Sequence, residues 1–396
     1  MMRLRLSALL CLLLSLLGTT SLCAQQAFRF PEGKLGTTAE LRHVRGVPVL
    51  LVSGTPREIG QSVGQLALKP ARRMLSYPRD LLHALRVDLL WGFFLTGSKR
   101  LYGQFPDDYK AETEAIIEAA GADRDLVIAG NTFFDLTRFF LCSGLGVCAD
   151  RSNTAGPLLG RNLDYPSLGY GQFYTLVTVY RPKGKLAFAS IGFPGLVGVL
   201  SGMNEAGLCL GVLEVYDLPL DQKKYDPTGV PYALCLRQLL EETRTIDEAV
   251  TLLNKLKRTT TINVLMADRN EVSVLEVSPQ RVVRRPSSNG FCASTNHFLS
   301  EPLRVEKPAN IHNTLERMEK LQKVGASGER LGVEAIRKHL HDVRLEHFTL
   351  QTMVFEPRAL RLHLSIGKIP ASSGPLQPID LAELLRPVAV GQRDRR

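Results

Sequence analysis

Cys142-Ser143-Gly144-Leu145-Gly146-Val147 and Gly160-Arg161-Asn162-Leu163-Asp164-Tyr165-Pro166 read as the two arms of a hairpin. Each arm is short, mixes apolar with small residues, and is followed by turn-forming residues. Folding back returns Arg161 and Asp164 to the neighbourhood of Cys142. A guanidinium beside a thiol lowers its pKa, and an activated thiol is a nucleophile. On composition alone, a Cys, an Arg and an Asp in one hairpin are more readily structural than catalytic.

Outward from this hairpin the texture is that of an antiparallel sheet. Short apolar runs at 142–148, 157–161, 173–181, 186–191, 196–201, 207–215, 261–267 and 272–277 are separated by breaks such as Pro182-Lys183-Gly184, Met203-Asn204-Glu205 and Asp268-Arg269-Asn270. Upstream, 47–53 reads as a strand, and Gly54-Thr55-Pro56-Arg57-Glu58 as a turn and helix start. Helical periodicity then prevails to about residue 140, clearest from Tyr109 to Ala120, with Gly121 as a stop and Asp123 as the next cap. Helices return near 232–256, 312–324 and 332–343, and a last hairpin spans 348–355 and 360–366. The order is α+β, one sheet system covered by helices. The organisation expected is a signal peptide at 1–24, a helical segment at 25–141, a catalytic core at 142–372 and a polar tail at 373–396.

The chain has 396 residues, 44% hydrophobic and 22% charged, enough for a full-sized core without disulfide staples. Its net charge of +10 is scattered, with Arg3 and Arg5 at one end and Arg393, Arg395 and Arg396 at the other. No basic stripe is interleaved with aromatics, which argues against nucleic-acid binding. Arg3 and Arg5, the apolar run from Leu6 to Leu17, and Leu22-Cys23-Ala24 read as an export signal cut after Ala24. The protein is therefore expected outside the cytoplasm, with no membrane-spanning segment after the signal is removed. Cys23 invites a lipoprotein reading, but Leu22 is large where a small residue is expected. Outside the signal five cysteines remain, an odd number, so at least one is an unpaired thiol.

Other chemistries have weaker signatures. Gly192-Phe193-Pro194-Gly195-Leu196-Val197-Gly198 lacks the lysine of a phosphate loop and reads as a turn packed closely on other backbone. His339-Leu340-His341-Asp342 superficially matches a metallohydrolase run, yet Val343 and Arg344 follow where a ligand is needed, and histidine suits a helix C-terminus. No Gly-x-Ser-x-Gly elbow is present. No metal or cofactor is expected.

The two arms of the hairpin resemble the N-terminal nucleophile cysteine hydrolases. That superfamily includes the penicillin (isopenicillin-N) acyltransferases, choloylglycine hydrolases, acid ceramidase and N-acylethanolamine acid amidase. Gly202-Met203-Asn204-Glu205-Ala206-Gly207-Leu208 and Ser294-Thr295-Asn296-His297-Phe298 look like further motifs of the set, in the same order. Gly54 to Gly60 and Phe105 to Gly121 look like the acyltransferase branch, so the resemblance runs over nearly all of 47–370.

The resemblance implies a four-layer αββα sandwich and a thiol amidase or acyltransferase acting on a small N-acyl amide. Cys142 matches the nucleophile, released as a chain N-terminus when the Leu141–Cys142 bond is cut, with its own α-amino group as base. Arg161 matches the arginine beside the thiolate, Asp164 the acid that binds the α-amino group, and Asn296 an oxyanion donor. Glu214 stands where bile-salt hydrolases carry an asparagine, and a carboxylate fits that role only if protonated. Arg317 is a further candidate, closer in sequence to Asn296 than the pattern suggests. Leu141 departs from the small residue usual before the nucleophile. Cys148 is a rival nucleophile, and Cys209, Cys235 and Cys292 read as core residues. A binding protein that keeps the fold without catalysis is the alternative from another class.

Overall fold

A computed structural model of the chain describes residues 27–138 and 141–386. The expected signal peptide and its cleavage site lie outside the described residues. The described part opens with three strands, β1 (Gly33–Leu35), β2 (Ala39–Val44) and β3 (Val47–Gly54). Helices α1 (Pro56–Val63), α2 (Tyr77–Ala84), α3 (Trp91–Tyr102), α4 (Asp107–Ala120) and α5 (Arg124–Thr137) follow. Their boundaries follow local chemistry. Thr55 and Glu58 form a reciprocal capping box at α1, Gly121 ends α4 with φ 55°, and the Asp123 carboxylate caps α5.

The remaining strands are β4 (Ser143–Val147), β5 (Leu158–Asp164), β6 (Leu176–Pro182), β7 (Phe188–Gly192), β8 (Ser201–Asn204) and β9 (Cys209–Glu214). Helices α6 (Tyr232–Glu242) and α7 (Ile246–Lys255) lead to β10 (Ile262–Ala267), β11 (Val272–Val277), β12 (Val282–Pro286) and β13 (Phe291–Ser294). Helices α8 (Thr314–Ala326) and α9 (Val333–Asp342) precede β14 (Thr349–Glu356), β15 (Arg361–Ser365), β16 (Gln377–Asp380) and a closing turn of helix, α10 (Leu381–Leu384).

The strands form two stacked sheets. The larger runs β1-β2-β3-β6-β7-β8-β9-β10-β11-β12, and the smaller β13-β4-β5-β14-β15-β16. Every named pairing is antiparallel except β3 with β6, which is parallel. Helices cover both outer faces, which gives the expected αββα sandwich. The glycines of β4 set the sheet spacing: a Cβ on Gly144 would lie 2.7 Å from the Leu265 side chain of β10, and one on Gly146 3.0 Å from Val272 of β11. Only the smallest residue allows so close an approach.

Residues before Cys142 are fastened to the core by a buried ion cluster. The Arg237 guanidinium of α6 reaches both carboxylate oxygens of Glu112 on α4, at 2.8 and 2.7 Å, and Glu241 at 2.8 Å. Tyr109 donates to Glu241 at 2.8 Å. Removing one partner of such a buried pair costs about 3–5 kcal/mol, because the other charge is left desolvated.

The structure departs from the sequence reading in several places. The strand read at 47–53 is β3, but the segment expected to be helical also carries β1 and β2 ahead of it, which extend the larger sheet and are not anticipated. Ser201–Asn204 is a strand where Met203-Asn204-Glu205 suggests a break, and the chain turns one residue later. Strands β12 and β13 are not anticipated, because β12 carries Arg284 and Arg285 on a half-buried edge. The helical run at 232–256 is two helices, divided where Thr245 caps α7. The described part of the expected polar tail is structured: β16 pairs with β15, and Ile379, Leu381, Leu384 and Leu385 are buried. A handful of spaced apolar anchors suffices to dock an otherwise polar segment.

Candidate active site

Cys142 sits where the chain enters β4, fully buried. The register of β4 on β5 pairs Ser143 with Asn162 and Gly144 with Arg161. This brings the three residues of the hairpin together as expected. Arg161 Nη2 donates to Cys142 Sγ at 2.7 Å. The same guanidinium is fixed by Ser201 Oγ at 2.6 Å and by the carbonyls of Val212 at 2.9 Å and Leu200 at 3.3 Å. Those partners lie on or beside β8 and β9, so the arginine crosses from one sheet to the other. Gly211 leaves the room: a Cβ there would meet the Arg161 chain at 2.7 Å.

Burial pushes the Cys142 thiol up to about 11, with Arg161 opposing and the carboxylates of Asp164 and Glu214 reinforcing the rise. Asp164 is equally buried. Thr349 Oγ1 donates to its Oδ1 at 2.5 Å, while Oδ2 has no hydrogen-bond partner among the described residues. Burial lifts its carboxyl to about 6, against the pull of Arg317, the Thr349 hydrogen bond and Arg161.

Arg317, from α8, lies at the centre of the cluster. Nη1 donates to the carbonyl oxygens of Leu141 at 3.1 Å and Cys142 at 2.9 Å, and Nη2 donates to Asn296 Oδ1 at 2.8 Å. Its Nε donates to the His312 carbonyl at 3.1 Å. Asn296, just beyond β13, gives its Nδ2 to the backbone carbonyl of Glu214 at 2.9 Å. The Glu214 side chain is buried and accepts from the Tyr232 hydroxyl at 2.9 Å. Leu141 itself is buried, and its N–H donates to the Asp164 carbonyl at 3.1 Å. Cys142, Arg161, Asp164, Asn296, Glu214 and Arg317 therefore form one connected group.

Other candidates fall elsewhere. Cys148 directly follows β4, with its N–H on the Gly290 carbonyl and its thiol 3.4 Å from Ser287 Oγ. The strand length between it and Cys142 carries it away from Arg161. Cys209, Cys235 and Cys292 are buried thiols, and burial raises each of them. His341 Nδ1 meets Ser372 Oγ at 2.9 Å, while His339 faces Asp342 at 4.0 Å. Among the described residues no three His, Cys, Asp or Glu side chains stand together as a metal site. The Gly192–Gly198 loop is a close-packed turn: a Cβ on Gly198 would strike Ala233 at 2.5 Å.

No motif or spacing marks Thr349, Ser201 or Tyr232, which hold Asp164, Arg161 and Glu214. Nor does any mark Thr314, whose hydroxyl accepts from the Asn296 N–H at 2.9 Å. These are ordinary residues on ordinary elements, joined to the site only by the fold.

Beside the cluster lies an apolar cavity that is partly open to solvent. Tyr165 and Leu350, the neighbours of Asp164 and Thr349, form part of its wall. Tyr77, Gly130, Phe133 and Phe134 from α2 and α5 complete much of the rest. Asn131 shapes its edge by holding the Gly195 carbonyl at 3.0 Å and the Val197 N–H at 2.8 Å.

A profile of the family described as acyl-coenzyme A:6-aminopenicillanic acid acyl-transferase matches residues 150–368, more than half of the chain. An uncharacterized protein of Archaeoglobus fulgidus is 23% identical over 241 residues, 54% of this chain. The match spans 40% of that relative's length. Among solved structures, a Caenorhabditis elegans ortholog of N-acylethanolamine-hydrolyzing acid amidase aligns with 55% of this chain and 93% of its own, at 18% identity and a TM-score of 0.42. A mutant of conjugated bile acid hydrolase from Clostridium perfringens aligns with 61% and 93%, at 14% identity and a TM-score of 0.41. Penicillin V acylase from Agrobacterium tumefaciens aligns with 61% and 91%, at 12% identity and a TM-score of 0.37.

Proposed function

The chain belongs to the acyl-coenzyme A:6-aminopenicillanic acid acyl-transferase family, within the N-terminal nucleophile hydrolases, and on that premise we propose that it is an exported thiol amidase for N-acylated small molecules. The observation that carries this reading is the setting of Cys142. Its sulfur meets Arg161 at 2.7 Å, and Asp164 beside it keeps one buried carboxylate oxygen without a hydrogen-bond partner among the described residues.

In the uncut chain the Cys142 sulfur adds to the Leu141 carbonyl carbon, whose oxygen accepts from Arg317. The C–N bond breaks, the α-amino group of Cys142 takes a proton, and Leu141 becomes a thioester. Water then releases the Leu141 carboxylate and restores the thiol. The new ammonium group is matched to Asp164 Oδ2, which balances its charge and aims its lone pair, once deprotonated, at the thiol. A peptide nitrogen has no such lone pair, which is why cutting must precede turnover.

Turnover repeats the chemistry on substrate. The thiolate attacks the acyl carbonyl, with Arg317 and Asn296 beside the developing oxyanion. The amine leaves with the proton held by the α-amino group, and water resolves the thioester to a carboxylic acid. The apolar cavity next to Tyr165 suits the acyl group. Resolution by an amine instead of water is the second reading, favoured by the family's description.

The test is intact mass and N-terminal sequencing of the purified protein, together with turnover of a panel of N-acyl amides. A fragment beginning Cys142-Ser143-Gly144-Leu145, and acid release from the panel, are expected. Full activity in a chain uncut at Leu141–Cys142 would refute the role of the α-amino group. Adding an amine acceptor and weighing amide against acid in the products distinguishes transfer from hydrolysis.

A further inference from the structure

Helix α5 ends at Thr137, and Arg138 follows in the left-handed region, with φ 54° and ψ 62°. That conformation costs a non-glycine residue about 1–2 kcal/mol, so something must hold it. Its guanidinium does. Nη2 donates to the Val215 carbonyl and to Thr261 Oγ1, and reaches the Thr261 carbonyl at 3.4 Å. Thr261 Oγ1 in turn donates to the Val215 carbonyl at 2.6 Å. One turn earlier, Asp135 Oδ1 accepts from Thr259 Oγ1 and from the Tyr232 N–H.

All these anchors belong to the larger sheet and its connections: Val215 follows β9, and Thr259 and Thr261 precede β10. Three residues on, the partners change sheets. Leu141 is held by the Asp164 carbonyl of β5 and by Arg317, and Cys142 leads into β4. The chain is thus fastened to the larger sheet at Arg138, upstream of the Leu141–Cys142 bond, and to the smaller sheet at Leu141 and Cys142.

We propose that Arg138 is the positioning residue for self-cleavage, holding the upstream side of the bond fixed while Arg317 holds the carbonyl. The inference rests on the reading that Leu141–Cys142 is the bond cut. Attack by a neighbouring thiol needs the sulfur and the carbonyl carbon in a near-attack geometry. A bulky Leu141 makes that geometry harder to hold by itself, and a clamp at both ends supplies it. The clamp also has a limited term. Once the bond is broken, Arg138 is no longer linked to Cys142, so its loss should slow processing and leave turnover alone.

The experiment follows cleavage of newly synthesised full-length chain by intact mass, for the parent protein and for Arg138→Met, Arg138→Lys and Thr261→Val. Turnover is then measured per cleaved molecule. Arg138→Met is expected to slow cleavage at least tenfold, with turnover within twofold of the parent. Arg138→Lys should recover part of the cleavage rate, and Thr261→Val should lie between Met and parent. Parental cleavage rates in Arg138→Met overturn the proposal, and so does turnover that falls in step with cleavage. If Arg138→Met is insoluble, parental rates in Thr261→Val overturn it. A parent chain that stays uncut at Leu141–Cys142 refutes the underlying reading, an outcome distinct from cutting that ignores Arg138.

Discussion

Thr349 Oγ1 donates to Asp164 Oδ1 at 2.5 Å, and the other oxygen of that buried carboxylate has no hydrogen-bond partner among the described residues. A satisfied oxygen fixes the carboxylate's orientation, and the second is matched to the ammonium group, the positive one of the two charges that the proposed cut would create. Asp164→Asn keeps the shape and removes the charge. It should lower kcat for amide hydrolysis by about 100-fold or more, with stability changed by no more than about 2 kcal/mol. Rate assays beside urea unfolding decide the matter, and parental rates would show that Asp164 is structural.

Cys142→Ala should give a single uncut chain without amidase activity. Cys148→Ala should be cut and active, because its thiol faces Ser287 and lies a strand's length from Arg161. Gel analysis and turnover of both variants test this, and activity surviving in Cys142→Ala would remove the proposed nucleophile.

Asp135 predicts an unusual pH dependence of stability. Burial raises its carboxyl to about 7, against hydrogen bonds from Thr259 and Tyr232. A folded-state value above the unfolded one means that stability is intact below about pH 4 and is lost as pH rises through 7. Asp164 contributes in the same direction, with its loss complete nearer 6. Between pH 5 and pH 8 the Asp135 share is about 2–3 kcal/mol at 1.4 kcal/mol per pH unit. In a Cys142→Ala background, Asp135→Asn should therefore gain that much on its parent across the interval. Urea midpoints at the two pH values would refute the assignment if the parent gained instead.

Gly130 lines the apolar cavity from α5, and a Cβ placed there has nothing within 4 Å. Gly130→Leu should fill the space without strain and gain somewhat less than about 1 kcal/mol in helix propensity. If the cavity takes the acyl group, KM for a long-chain amide should rise at least tenfold, with little change for an acetyl amide. Equal effects on both substrates would place the acyl group elsewhere.

What can be read in advance follows a physical division. The strands of the core are continuous apolar runs, and Gly121 and Asp123 punctuate helices by their own backbone chemistry, so both are legible. The hairpin brings Cys142, Arg161 and Asp164 together because register is local. Arg317 is harder: its place beside Leu141 depends on how α8 packs on the smaller sheet, and no spacing along the chain encodes that. Thr349 and Ser201 are invisible for the same reason. Strands β1 and β2 escape notice because β1 is a short edge strand and both are only partly buried, which breaks up the apolar pattern. The segment at 377–385 reads as a polar tail because its few buried leucines and isoleucine are diluted by proline and acid.

The parallel pairing of β3 with β6 joins residues that lie on opposite sides of Leu141–Cys142. Before a cut at that bond, the larger sheet assembles within one molecule, at a rate indifferent to concentration. Afterwards the same sheet is shared between two polypeptides, and rebuilding it after denaturation requires them to find each other. Recovery then scales with the product of their concentrations and fades on dilution. The native arrangement of the processed protein would thus be reached once, during biosynthesis, and thereafter preserved by the slowness of coming apart.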